Sequence, residues 1–145
     1  MRLGHCALTA KDPKALAGFY ERFLGLQRVG EVVTEQTGAM VFLSTDPHGP
    51  PVLQLMSNPQ GRHVAFKVDS LAELRELYAE APQRGARVVM SYDHGPTLSF
   101  YVHDPEANAC EVYWETGRRS GGGNRPIDLT KSEEELLELI RPPGR

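Results

Sequence analysis

Three side chains in this sequence of 145 residues have the type and placing to hold a metal ion: His5, His63 and Glu111. His5 opens an alternating apolar run, His5-Cys6-Ala7-Leu8-Thr9-Ala10, that closes on the helix-start signal Lys11-Asp12-Pro13. His63 opens a second such run, His63-Val64-Ala65-Phe66-Lys67-Val68, closed by Asp69-Ser70. The chain therefore reads as two copies of one unit, with a histidine at the matching place in each. Glu111 lies near the end of the second copy, in the apolar and aromatic stretch Ala109-Cys110-Glu111-Val112-Tyr113-Trp114, where an unpaired carboxylate would cost several kcal/mol. Two imidazoles and one carboxylate on one face form a facial set that leaves three neighbouring positions open on Fe(II). A lone strand histidine is more often a hydrogen-bonded core or rim residue, and a lone strand glutamate is more often solvated. The repetition of the histidine favours the metal. Cys6 and Cys110 flank two of these residues, but strand alternation turns their sulfurs to the opposite face, as packing residues.

The elements that must position the three side chains follow from periodicity. Residues Arg2 to Thr9 alternate as a strand, and Asp12-Pro13 supplies an N-cap and a first-turn proline. Leu16, Phe19, Tyr20, Phe23 and Leu24 then recur on one helical face, ended by Gly25. Strands are expected at Gln27 to Thr34, Ala39 to Ser44 and Pro51 to Ser57, completing βαβββ. The second unit repeats the order. A strand from Arg62 to Val68 leads to a helix capped by Ser70, striped by Leu71, Leu74, Leu77 and Tyr78 and ended at Arg84-Gly85. Strands Ala86 to Tyr92, Leu98 to His103 and Ala109 to Trp114 follow, the last two joined by the turn Asp104-Pro105-Glu106-Ala107-Asn108. The expected architecture is α+β: two tandem βαβββ modules, 1–58 and 59–119, forming a curved sheet cup around a metal site. Residues 120–145 read as a Gly-rich connector, Ser120 to Asn124, and a short amphipathic helix started by the capping box Ser132-Glu133-Glu134-Glu135. Its Leu136, Leu137, Leu139 and Ile140 suit either a patch on the chain's own surface or a second subunit.

Composition narrows the class. Hydrophobic residues make up 40% and charged residues 24%, with a formal charge of −3 and no basic stripe, so nucleic acid is not an expected partner. No apolar run approaches a bilayer span, and the N-terminus lacks a signal-like apolar region. Two cysteines are too few for a disulfide framework. A cytoplasmic domain is expected.

With these residues in view, the chain resembles the vicinal oxygen chelate superfamily, which includes glyoxalase I, fosfomycin-resistance transferases, bleomycin-binding proteins and type I extradiol dioxygenases. The resemblance runs from His5 to Trp114, through Ala17-Gly18-Phe19-Tyr20-Glu21-Arg22-Phe23-Leu24-Gly25-Leu26, Gly61-Arg62-His63-Val64-Ala65-Phe66 and Phe100-Tyr101-Val102-His103-Asp104-Pro105. Four further matches resemble the short catechol 2,3-dioxygenase-like members. Tyr101 stands ten residues before Glu111, Asp93-His94-Gly95 lies just upstream, His48 stands fifteen residues before His63, and the tail Asn124-Arg125-Pro126-Ile127-Asp128-Leu129 resembles that subgroup's extension. The resemblance implies an Fe(II) site, with Mn(II) as the alternative, a small aromatic diol and dioxygen as substrates, and a homodimer or higher homo-oligomer. It implies acid/base work for His48, stabilisation of dioxygen for His94, and a hydrogen bond to the substrate oxygen for Tyr101.

Departures keep other readings open. Ala107 stands where the family has glycine, and Arg62 stands where catechol dioxygenases often carry a second histidine, which points to an acidic substrate. A glyoxalase-like isomerase would draw a fourth ligand from Gln54, a neutral amide that is a poor ligand and a poorer base. A fosfomycin-type thiol transferase would share the three ligands, but it carries a threonine where this chain has Ala7 and a lysine before the place of Tyr101. A bleomycin-like binding protein needs no metal, and the intact set His5, His63 and Glu111 argues against it.

Overall fold

Alternating side chains and two well-capped helices set the first half of the chain. A computed structural model describes residues 1–35, 37–119 and 123–141. Within these the chain forms two compact units, residues 4–65 and residues 1–3 with 66–145. The first contains β1 (Arg2–Thr9, from Gly4 onward), α1 (Pro13–Leu24), β2 (Gln27–Thr34), β3 (Gly38–Ser44), β4 (Leu53–Met56) and the start of β5 (His63–Lys67). Its sheet runs in the order β2-β3-β4-β1, antiparallel except for the parallel pair β1–β4.

Asp12 caps α1 by accepting the N–H groups of Lys14 and Ala15, Pro13 occupies the first turn, and Gly25 closes the helix at φ 69°. These are the signals expected from the sequence. One sheet face, carrying Leu8, Val41, Leu43, Leu53 and Leu55, packs against Leu16, Ala17 and Tyr20 of α1. Leu43 and Leu55 are fully buried, each contributing about 2–3 kcal/mol of transfer free energy. The helix face departs from expectation. Leu16, Ala17 and Tyr20 meet the sheet and Pro13 is buried, while Phe19, Phe23 and Leu24 stay exposed, with Phe19 and Phe23 stacked on each other at 5.4 Å. The apolar stripe is wider than the surface the sheet offers it.

The second unit carries the end of β5, α2 (Leu71–Glu80), β6 (Arg87–Asp93), β7 (Thr97–His103), β8 (Ala109–Glu115), β9 (Arg125–Pro126) and α3 (Glu133–Leu139). Its sheet order is β8-β7-β6-β9, antiparallel throughout. Just past β5, the Val68 N–H donates to the Tyr113 carbonyl, so the start of this repeat lies against its last strand, as β1 lies against β4 in the other. The duplicated βαβββ order is thus present in both halves. Leu98, Phe100 and Val112 face the helices and form one core with Leu71, Leu74, Ile127, Leu129, Leu136 and Ile140. Leu136 and Ile140 of the C-terminal segment therefore patch this unit's own surface, whereas Leu137 and Leu139 remain exposed. The Ser132–Glu135 capping box is present with both of its hydrogen bonds.

Several strand ends move by one or two residues, and one helix end differs for a clear physical reason. Helix α2 stops at Glu80 rather than at Gly85, because Pro82 has no N–H to return to the Tyr78 carbonyl. A looser turn carries the chain on to Gly85, at φ 77°. The turn before β8 keeps its shape although Ala107 replaces glycine. Ala107 adopts φ 65°, a left-handed conformation that costs an L-residue roughly 1–2 kcal/mol. The Asp104 carboxylate offsets that strain by accepting the N–H groups of Glu106 and Asn108 and the Asn108 side chain. Those bonds, the Asn108 side chain first, hold the Asp104 carboxyl below its ordinary range. Of the expected Gly-rich connector, Ser120, Gly121 and Gly122 lie outside the described residues. Among the described residues no helix is long and apolar enough to cross a membrane.

Candidate functional site

Strand alternation sorts the first unit's side chains between two faces. Cys6 pairs with Leu53 and Leu8 with Leu55, so these turn toward α1, while His5, Ala7 and Gln54 share the other face. His5 is buried, and its Nε2 lies 3.1 Å from Nε2 of His63, the two rings nearly perpendicular at 78°. The second nitrogen of His63 is committed: Nδ1–H donates to the Gly61 carbonyl at 2.7 Å. That bond fixes the tautomer and leaves Nε2 with its lone pair, the usual arrangement of a metal-binding histidine held by a backbone carbonyl. A separation of 3.1 Å suits a hydrogen bond, and it is also that of two nitrogens about 2.1 Å from one metal and at right angles to each other. The donor set fits a divalent cation.

Gly61 is needed for this placement. A Cβ there would fall 1.8 Å from Sδ of the buried Met56, so no larger residue fits without moving the carbonyl that orients His63 or displacing Met56. His48 lies exposed in the turn after β3, its backbone N–H accepted by Asp46. Arg62, just before His63, is also exposed.

The second unit has a buried carboxylate of its own. Glu111 on β8 is only 3% exposed and stands directly across from Tyr101 on β7. Tyr101 is pushed well above the ordinary phenol range, first by burial and then by the Glu111 charge and hydrogen bond, so it stays a neutral donor. Its hydroxyl lies 3.1 Å from Nε2 of His94, which is 3.9 Å from the Glu111 carboxylate. His94, Tyr101 and Glu111 are thus brought together. Tyr92 joins them, its ring 5.7 Å from that of His94 and 6.4 Å from that of Tyr101.

Tyr113, two residues beyond Glu111, shares its face of β8 and is pushed up to about 12 by burial, with Glu115 and Glu111 adding to it. The sequence reading gives Tyr92, Tyr113 and Asn124 no role in the site, although Tyr113 and Asn124 lie in stretches it singles out. Alternation from Glu111 points to Tyr113, whereas no spacing ties Tyr92 or Asn124 to His94. Burial, then Glu111, raises the Cys110 thiol, which remains protonated and packs rather than ligates.

Residues 2–112 match the Glyoxalase/Bleomycin resistance protein/Dioxygenase superfamily. A biphenyl-2,3-diol 1,2-dioxygenase from Rhodococcus globerulus is 29% identical over 122 residues, covering 77% of this chain but only 62% of that protein. The chain thus spans less than two thirds of that relative. In structure it is similar to 2,2',3-trihydroxybiphenyl 1,2-dioxygenase from Sphingomonas wittichii, with a TM-score of 0.63 at 21% identity, over 83% of this chain and 43% of that one. It is similar also to methylmalonyl-CoA epimerase from Streptomyces coelicolor, with a TM-score of 0.62 at 20% identity, over 81% of this chain and 99% of that one. From its matched sequence, its duplicated fold and its paired histidines, the chain belongs to the Glyoxalase/Bleomycin resistance protein/Dioxygenase superfamily.

Proposed function

We propose that this protein is an extradiol dioxygenase that cleaves a catechol-type ring with dioxygen, on a divalent metal held by His5, His63 and Glu111. The metal is Fe(II), with Mn(II) as the alternative, and when bound it acidifies the substrate hydroxyls and brings the two substrates together. His63 would hold it through Nε2, because the Gly61 carbonyl occupies the other nitrogen, and His5 would hold it through the Nε2 that lies 3.1 Å from that of His63. The observation that carries the reading beyond a metal site is the group around Glu111. The His94 imidazole can accept a proton, and the Tyr101 phenol, pushed up by burial, can keep its proton and donate a hydrogen bond to the substrate oxygen. His48 is assigned acid/base work on its spacing from His63 alone. The likeness to diol dioxygenases adds support. Self-assembly belongs to the same proposal, supported by the exposed strip Phe19, Phe23 and Leu24.

The test is oxygen uptake by anaerobically Fe(II)-loaded protein given catechol, 3-substituted catechols and 2,3-dihydroxybiphenyl. Metal-dependent uptake with a yellow ring-opened product is the expected result. Absence of uptake with one metal bound per chain would overturn it in favour of isomerase chemistry. That second reading has its own support in the near full-length likeness to an epimerase and in Gln54 on the His5 face.

Arg62 provides a narrower expectation. An exposed guanidinium beside a metal ligand attracts an acidic ring substituent, at the modest strength of a solvated ion pair. Arg62→Ala should raise KM about three- to tenfold for a carboxylated catechol and leave neutral catechol within about twofold. Equal effects on both substrates would remove Arg62 from specificity.

A further inference from the structure

The segment after β8 returns to the edge of β6 and meets His94. Its anchor is Asp93, a carboxylate with no exposed surface, which accepts bonds from Arg118 on one side of the segment, from Arg125 at 2.9 Å on the other, and from the Gly95 N–H at 2.9 Å. β9 pairs Arg125 with Asp93 and Pro126 with Tyr92. The Ser91 hydroxyl donates to the Ile127 carbonyl at 2.5 Å, and Arg125 reaches the Leu139 carbonyl at 3.3 Å. These contacts place Asn124, at φ 60°, so that its Oδ1 lies 2.5 Å from Nδ1 of His94. A side-chain carbonyl oxygen only accepts, so Nδ1 of His94 carries the proton and Nε2 presents a lone pair 3.1 Å from the Tyr101 hydroxyl.

We propose that Asn124 is a positioning residue, which fixes the ring plane and tautomer of His94 so that a bare Nε2 faces Tyr101 and Glu111. Backbone bonds alone do not accomplish this. The His94 N–H bond to the Thr97 carbonyl holds the main chain, but the ring could still turn over about its own axis and present carbon in place of nitrogen. The C-terminal segment is thereby part of the site's chemistry as well as a cover for the helical core. The role assigned to the bare nitrogen, accepting or sharing a proton during ring cleavage, rests on the proposed dioxygenase reading. The tautomer itself does not.

The experiment uses the full chain labelled with ¹⁵N-histidine, without added metal, at a pH where imidazoles are neutral, with His94→Gln identifying the His94 signals. Asn124→Gly removes the acceptor while tolerating the positive φ, and Asn124→Asp keeps an acceptor in place. Long-range ¹H–¹⁵N correlation is expected to show His94 protonated at Nδ1 in the unaltered protein and in Asn124→Asp, and to lose that preference in Asn124→Gly. In the Fe(II)-loaded protein, Asn124→Gly should lower kcat about 10–100-fold with KM within about twofold, and Asn124→Asp should recover most of it. A His94 tautomer that is unchanged in Asn124→Gly, or that carries its proton at Nε2 in the unaltered protein, would overturn the inference even if ring cleavage is observed. No ring cleavage by the unaltered protein, with the expected tautomer change intact, would instead overturn the dioxygenase reading and leave the positioning of His94 standing.

Discussion

Glu111→Gln and His63→Ala are each expected to leave the protein folded but to reduce bound metal from one equivalent per chain to near zero. Glutamine fills the buried space of Glu111 with almost the same shape, yet it replaces an anionic oxygen donor by a neutral amide. A divalent cation bound by two neutral imidazoles and an amide loses the only charge that opposes its own. His63→Ala removes the ring whose tautomer is set by the Gly61 carbonyl, and leaves His5 without its neighbour at 3.1 Å. Either loss should exceed the roughly 10–100-fold that supporting residues around a metal contribute, in affinity and in turnover alike. Metal analysis after gel filtration, paired with oxygen uptake, checks both. Full metal occupancy in Glu111→Gln would remove Glu111 from the ligand set.

Asp93→Ala should produce the largest loss of stability of any single polar substitution in the second unit. The fully buried carboxylate answers three donors, and its removal strands Arg118, whose side chain is only 17% exposed, next to a void. Breaking a buried pair from one side costs about 3–5 kcal/mol. Arg125 is half exposed, and its share is screened by water, so about 3 kcal/mol is the appropriate figure here. For a chain of this size the melting temperature should fall by roughly 10 °C. Asp93→Asn, which keeps the shape and one acceptor, should fall between. Chemical denaturation with circular dichroism decides the point, and a loss under about 1 kcal/mol would mean that the two arginines find other partners. The comparison with Asn124→Gly is informative. The first substitution loosens the whole segment, whereas the second frees only the His94 ring.

Much of the fold is readable in the chain because the informative patterns are local. The alternation that defines β1 and β2 begins and ends with the residues that the strands do, and it also sends Cys6 and His5 to opposite faces. Asp12-Pro13, Ser70 and the Ser132–Glu135 box cap their helices as their types demand, since a cap needs only its own neighbours. Duplication marked His5 and His63 as equivalent before any contact was known. The end of α2 departs from the sequence pattern for the converse reason. Gly85 is a conspicuous stop signal, but the missing N–H of Pro82 acts first.

Other features have no local signature. Leu16 and Tyr20 pack while Phe19 and Phe23 of the same stripe do not, because the sheet beneath α1 has only so much width to cover. β9 is two residues long and includes a proline, so periodicity is silent there. It exists because Asp93, buried on a strand edge, draws Arg118 and Arg125 from opposite sides of the returning segment. Local pattern is enough for the repeated order of elements, the faces of the strands and the residue types suited to a metal and to proton transfer. Long-range contacts are needed for the Gly61 carbonyl to set the His63 tautomer, for Tyr101 to be pushed up by burial beside Glu111, and for Asn124 to meet His94 from thirty residues away. Propensity acts over a few bonds, whereas burial, charge neighbours and hydrogen-bond partners depend on what the folded chain brings near.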